Sequence, residues 1–184
     1  MLEKVKQFVL ESFSQGANEK NMDHFERAVY WLQRLKPDAD EPMLIAAYAH
    51  DLGRAFREQD TANFFKDKEF DDPEILASHQ EGGAKIISEF LKKQNYNPDD
   101  IKRIYNMVRY HEEGGDVESD LIKDADSISY LEVNVKKFLG WLDKLGKEKV
   151  RRKIDWMYER ISSPQARELA KPFYDKALTD LNKI

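Results

Sequence analysis

Residues 42–54 read PMLIAAYAHDLGR. A proline suited to the first turn of a helix opens an apolar run, and Gly53 stands where a helix would stop. The spacing predicts a short helix over Met43–Leu52 with Met43, Ala46, Ala47 and His50 along one face. A histidine and an aspartate, His50 and Asp51, thus sit side by side at the C-terminal end of an apolar helix, followed at once by Arg54.

Outward from this stretch the periodicity is helical almost throughout, and the alternation of a β-strand is hard to find. A first amphipathic helix is expected over Leu2–Phe13, closed by the turn Gly16-Ala17-Asn18. Asn21 or Asp23 is suited to cap a second helix carrying Phe25, Ala28, Trp31, Leu32 and Leu35, with Pro37 just beyond. Asp72-Pro73 and Asn97-Pro98 each pair an N-cap with a first-turn proline. They predict helices to about Lys93 and to near Tyr110. Gly114-Gly115 breaks the chain, helix resumes over Val117–Leu142 in one or two pieces, and two more follow over about Lys147–Ile161 and from Ser163-Pro164 onward. Residues 54–72 are irregular, with Phe56, Phe64, Phe65 and Phe70 among charges. They read equally as a lid or substrate-binding loop and as a short helix packing its phenylalanines on the core. The expectation is an all-α chain of eight to nine helices forming a single domain over 1–184, with no repeat or low-complexity linker.

Composition narrows the chemistry. The 184 residues are 41% hydrophobic and 35% charged, with a net charge of −5, which suits a globular chain and argues against nucleic acid as a partner. The basic run Lys144–Lys153 is read as a solvated helix face. There are no cysteines, so any metal must be held by histidine, carboxylate and water. No apolar run approaches the ~18–20 residues needed to cross a bilayer, and the N-terminus is unlike a signal peptide. The chain is expected to be cytoplasmic, without a membrane partner.

The four histidines carry the functional signal. His24 lines up with Ala28, Trp31 and Leu35. His50 lies on the apolar face described above, His79 sits on the Ile75–Ile86 stripe, and His111 completes Ile101, Ile104 and Val108. One buried histidine is ordinarily a satisfied core residue. Four of four, on four helices, are what a metal site inside a helical bundle requires, because ligands there project inward from facing helices. The segment Lys123-Asp124-Ala125-Asp126-Ser127 adds a carboxylate among Ile122, Ile128, Tyr130 and Leu131. Periodicity alone does not choose between Asp124 and Asp126.

A histidine, then a His-Asp pair, then a distant aspartate, all on helices, resembles the HD superfamily of metal-dependent phosphohydrolases. The resemblance covers about residues 20–135, through DHFERAVYWL, AAYAHDLGR and KDADSISYLE. SHQEGGAKIISEFL and MVRYHEEGG resemble the two further histidine segments of members that hold two metals. It implies a first metal on His24, His50, Asp51 and Asp126, and a second on His79 and His111 with Asp51 bridging. Asp124 would then support Asp126 from behind. Residues 143–184 match nothing in the resemblance and are taken as a helical extension.

The implied chemistry is hydrolysis of a phosphate ester or anhydride by a metal-activated hydroxide, on a small phosphorylated, nucleotide-like substrate. Asp51 and Arg54 are the expected catalytic residues. Arg54 is best placed to clamp phosphate through its bidentate fork. Arg27, Arg109 and Lys123 are expected to be surface or ion-paired cations, and Gly82-Gly83 to allow close helix packing. Iron, manganese, zinc, cobalt and nickel all suit such a ligand set, with magnesium, which prefers oxygen ligands, a further candidate. The same six ligands are also compatible with a di-iron oxygenase of the superfamily acting on a small organic substrate. A non-catalytic nucleotide-binding module is the third reading. Phosphate-binding P-loop, nucleophile-elbow and dinucleotide-binding motifs are absent.

Overall fold

Helix caps set the frame. In the computed structural model, which describes residues 1–15, 22–56 and 61–184, the chain is all-helical: α1 (Leu2–Gln15), α2 (Met22–Leu35), α3 (Glu41–Ala49), α4 (Thr61–Phe64), α5 (Pro73–Lys93), α6 (Pro98–Arg109), α7 (Val117–Ser129), α8 (Val135–Leu139), α9 (Leu142–Leu145), α10 (Lys147–Glu159) and α11 (Pro164–Lys183). Eight of these have seven or more residues, and no strand occurs among the described residues. Asp72 Oδ1 accepts from the amides of Glu74 and Ile75 at 2.9 and 3.2 Å, and Asn97 Oδ1 from those of Asp99 and Asp100 at 2.8 and 3.1 Å. Each cap satisfies amides that the first turn leaves unpaired, and the proline that follows has no amide to satisfy. Asp40, Asp116 and Ser163 cap α3, α7 and α11 in the same way. No helix among the described residues is long and apolar enough to cross a membrane.

α3 is the central element. All its residues from Pro42 to Ala49 except Leu44 are buried, so it is apolar on every side and not on one face alone. α1, α2, α6 and α7 pack around it, while α5 packs on α6 and on the 3₁₀ turn Leu52–Phe56 that follows α3. The α7 helix continues through a single π-helical turn, Tyr130–Asn134, into α8. Such a turn is rare and concentrates at functional sites. Buried side chains run as one core from Val5 in α1 to Leu181 in α11.

Two sequence expectations need correction here. α3 ends at Ala49, not Leu52, and His50 is its C-cap. Gly53 lies inside the 3₁₀ turn, for a reason given below. Residues 54–72 follow the packing reading where they are described: α4 is a short helix, Phe65 and Phe70 are buried, and Phe56 is exposed. The turn Gly16-Ala17-Asn18, the cap Asn21 and residues 57–60 lie outside the described residues.

Candidate metal centre

The approach of the turn after α3 to α5 builds the centre. An added Cβ at Gly53 would lie 2.5 Å from the His79 carbonyl oxygen, and one at Gly83 would lie 3.1 Å from the Gly53 nitrogen. The two glycines therefore let backbone meet backbone. This bears out the packing reading for Gly83, whereas a Cβ at Gly82 would meet nothing. The close approach sets Asp51 beside His79. α2 against α7 brings His24 to Asp126, and the end of α6 delivers His111.

The side chains fall into two groups that share Asp51. In the first, His24 Nε2 and His50 Nε2 lie 3.2 Å apart and 3.1 and 3.3 Å from Asp126 Oδ1. Asp51 Oδ2 is 4.0 and 3.8 Å from the same two nitrogens. In the second, Asp51 Oδ1 is 3.1 Å from His79 Nε2 and 3.7 Å from His111 Nε2, and both nitrogens lie 3.7 Å from Glu112 Oε1. Within each group the ligand atoms of His24, His50 and Asp51, and of Asp51, His79, His111 and Glu112, all lie within 4.8 Å of one another. The sequence-expected residues His24, His50, Asp51, His79, His111 and Asp126 are all buried and brought together.

The imidazoles are oriented for ligation. His50 Nδ1 and His111 Nδ1 face the carbonyl oxygens of Ala47 and Val108 at 2.8 and 2.7 Å. A carbonyl only accepts, so each Nδ1 carries the proton. Ser129 donates to the His24 carbonyl oxygen and so accepts from His24 Nδ1, both at 2.8 Å. In their neutral forms all three rings present an Nε2 lone pair to the centre, the arrangement by which a metal ligand is fixed from behind. Two such lone pairs facing each other at 3.2 Å call for a cation. In the second group His79 Nε2 and His111 Nε2 are buried and make no hydrogen bond. Buried nitrogens with lone pairs, carboxylates and no cysteine are a hard-to-borderline donor set, and they fit divalent cations.

Two arginines close the centre. Arg54 Nε lies 2.7 Å from Asp51 Oδ1 and its Nη2 donates to Glu112 Oε1 at 3.1 Å. Arg160, the C-cap of α10, donates from Nη1 to Glu112 Oε2, from Nη2 to Asp126 Oδ2, and from Nε to Ser127 Oγ at 2.8 Å. Burial raises the cost of each carboxylate charge, but the cations outweigh it: Arg54 holds Asp51, and Arg160 holds Glu112 and Asp126, well below the ordinary range. Burial lowers His24 and His79, with Arg54 adding to the effect on His79. Burial also pulls His50 down, but Asp126 and Asp51 together lift it to about 9.

Glu112 and Arg160 are the residues that sequence reasoning missed. Glu112 had a signal, since His111-Glu112 repeats the His50-Asp51 pairing at a helix end. Arg160 had none, and it shows that the C-terminal extension reaches into the centre. Other expectations divide. Arg27 pairs with Glu132 at 2.6 Å and Arg109 with Glu81 at 3.1 Å, as ion-paired cations should. Lys123 is buried rather than exposed, bound to Asp120 at 2.8 Å and the Glu113 carbonyl. Asp124 does not support Asp126: it accepts from the amides of Ser162 and Ser163 at 2.7 and 3.0 Å and so fixes the turn that follows Arg160. Lys153 leaves the solvated face expected of the basic run. It is buried with its ammonium over the rings of Trp156, Tyr130 and Phe70 at 4.1, 5.4 and 5.5 Å.

The fold is that of HD-type proteins. A crystal structure of a predicted HD superfamily hydrolase from an uncultured Thermotogales bacterium matches with a TM-score of 0.61 and 16% identity, covering 99% of this chain and 90% of that one. No match among curated proteins was found. A family model described as a domain of unknown function, DUF4202, matches residues 8–180, and the chain belongs to that family.

Proposed function

We propose that the protein is a metal-dependent phosphohydrolase working through two divalent cations on a small phosphorylated, nucleotide-like substrate. The observation that carries this reading is Asp51, whose two carboxylate oxygens face different histidine pairs, Oδ2 toward His24 and His50 and Oδ1 toward His79 and His111. In this reading His24, His50, Asp51 and Asp126 hold the first cation, and Asp51, His79, His111 and Glu112 hold the second. Such a pair would activate water near neutral pH and would offset charge that develops on a phosphoryl oxygen.

The chain's own residues do the rest. Backbone carbonyls and Ser129 keep the imidazoles of His24, His50 and His111 in the tautomer that offers Nε2. Arg160 grips the outer oxygens of Glu112 and Asp126, so their inner oxygens face the histidines. Arg54 is a fork-shaped cation suited to a phosphate, and it favours an anionic substrate. Water is kept from the histidine side by burial of every ligand.

The test is turnover of a panel of nucleoside mono-, di- and triphosphates and simple phosphate monoesters. The purified chain would be reconstituted with manganese, cobalt, iron or zinc, beside Asp51→Ala. Phosphate release that depends on metal and is lost in the variant is expected. Release that survives Asp51→Ala would refute the assignment.

A further inference from the structure

The two arginines differ in which carboxylate oxygens they hold. Arg160 takes Glu112 Oε2 and Asp126 Oδ2, the oxygens turned away from the imidazoles. Arg54 takes Asp51 Oδ1 and Glu112 Oε1. Those are the same two oxygens that face His79 Nε2 and His111 Nε2. The Arg54 guanidinium therefore rests on the ligand atoms of the second group, while both imidazole nitrogens there stay without a hydrogen bond. In the first group, by contrast, the inner oxygen Oδ1 of Asp126 faces His24 Nε2 and His50 Nε2, and the described arginine contact on that carboxylate, from Arg160, is made to Oδ2.

We infer that Arg54 competes with the second cation for Asp51 Oδ1 and Glu112 Oε1, and that loading this cation hands the guanidinium to the substrate phosphate. The inference rests on the two-cation reading above and extends it to the order of assembly. One positive group replaces another on the same two oxygens, so their charge is met in both states and neither is left bare in the interior. A displaced guanidinium keeps its fork, whose geometry matches a pair of phosphate oxygens. It remains tethered one turn from Asp51, so it stays beside the cations. The first position fills without this exchange, and the second fills against a built-in competitor. Arg160 plays the opposite part. It braces the outer oxygens, and its loss should loosen the ligands rather than unmask them.

The experiment is a manganese(II) titration, read from the free ion, on wild type, Arg54→Met and Arg160→Met, followed by inorganic phosphate binding by calorimetry on the loaded proteins. The expected result for Arg54→Met is at least tenfold tighter binding of the second ion together with at least tenfold weaker phosphate. For Arg160→Met the ion should bind more weakly. Should Arg54→Met fail to fold by circular dichroism, Arg54→Lys reaches only one oxygen and should shift both affinities in the same directions by less. Unchanged or weaker second-ion binding in the Arg54 variants would overturn the inference, as would undiminished phosphate affinity. Neither readout depends on turnover. Two bound ions with no hydrolysis would therefore count against the phosphohydrolase reading alone, and a wild type that binds no ion would remove both.

Discussion

Asp51 and Glu112 hold different kinds of position in the centre. Asp51 belongs to both groups, whereas Glu112 belongs to the second alone. Glu112→Gln keeps the shape but withdraws a charge from one group only, and its amide nitrogen can no longer accept from one of the two arginines that Glu112 holds. We expect one tightly bound cation per chain in place of two, with helical content unchanged, by elemental analysis after gel filtration and circular dichroism. Retention of both ions would show that Glu112 is no ligand. At this level the sequence was informative where a residue type was out of place. Four histidines on apolar stripes, and the pair Asp124 and Asp126 among apolar neighbours, were polar groups where burial was expected, and burial demands partners. Arg160 was out of place only in three dimensions, because its partners Glu112 and Asp126 lie 48 and 34 residues away. Asp124 and Asp126 were indistinguishable by period, and the partner that separates them, the Ser162–Ser163 turn, comes from another helix.

Helix boundaries were legible wherever a local cap wrote them. Asp72-Pro73, Asn97-Pro98 and Ser163-Pro164 start α5, α6 and α11 because each cap's partners lie within three residues. The end of α3 was misjudged because Gly53 serves another purpose. It is there so that the 3₁₀ turn can touch the α5 backbone, a contact set by residues 26 and 30 positions away. Gly53→Ala should therefore do more than a surface glycine substitution. Its methyl would come 2.5 Å from the His79 carbonyl oxygen, and pushing the turn off α5 should cost about 1–3 kcal/mol. It should also separate Asp51 from His79. The expected outcome is a lower urea midpoint together with weakened binding of the second cation, although no ligand has been removed. Unaltered stability and binding would mean the contact is not under constraint. α10 shows the same limit on sequence reading, since the basic run Lys144–Lys153 reads as solvated although Lys153 turns inward.

The molecule as a whole carries a buried lysine as the cost of this arrangement. Burial pulls Lys153 from its usual 10.5 down to about 7. The folded value is the lower one, so between about pH 7 and 10.5 the unfolded chain binds more protons. Stability falls as pH drops through that window, and the penalty is complete below about 7. Lys153→Met should accordingly stabilise the protein more at pH 6.5 than at pH 10, as read from urea unfolding at the two values. An equal gain at both would show that the ammonium is not desolvated. The all-helical class and the HD-type arrangement were readable because periodicity and the histidine pattern agreed over most of the chain. The role of residues 143–184 was not, because a helix that completes a site from outside the motif region leaves no periodic trace of doing so. The central claim is that one chain holds two divalent cations on a shared Asp51. Metal content per chain, measured on protein reconstituted under anaerobic conditions, tests it most directly. The account predicts two ions in the wild type and none retained by Asp51→Ala, with the variant still folded. A wild type that takes up no metal, or an Asp51→Ala protein that keeps two, would contradict it.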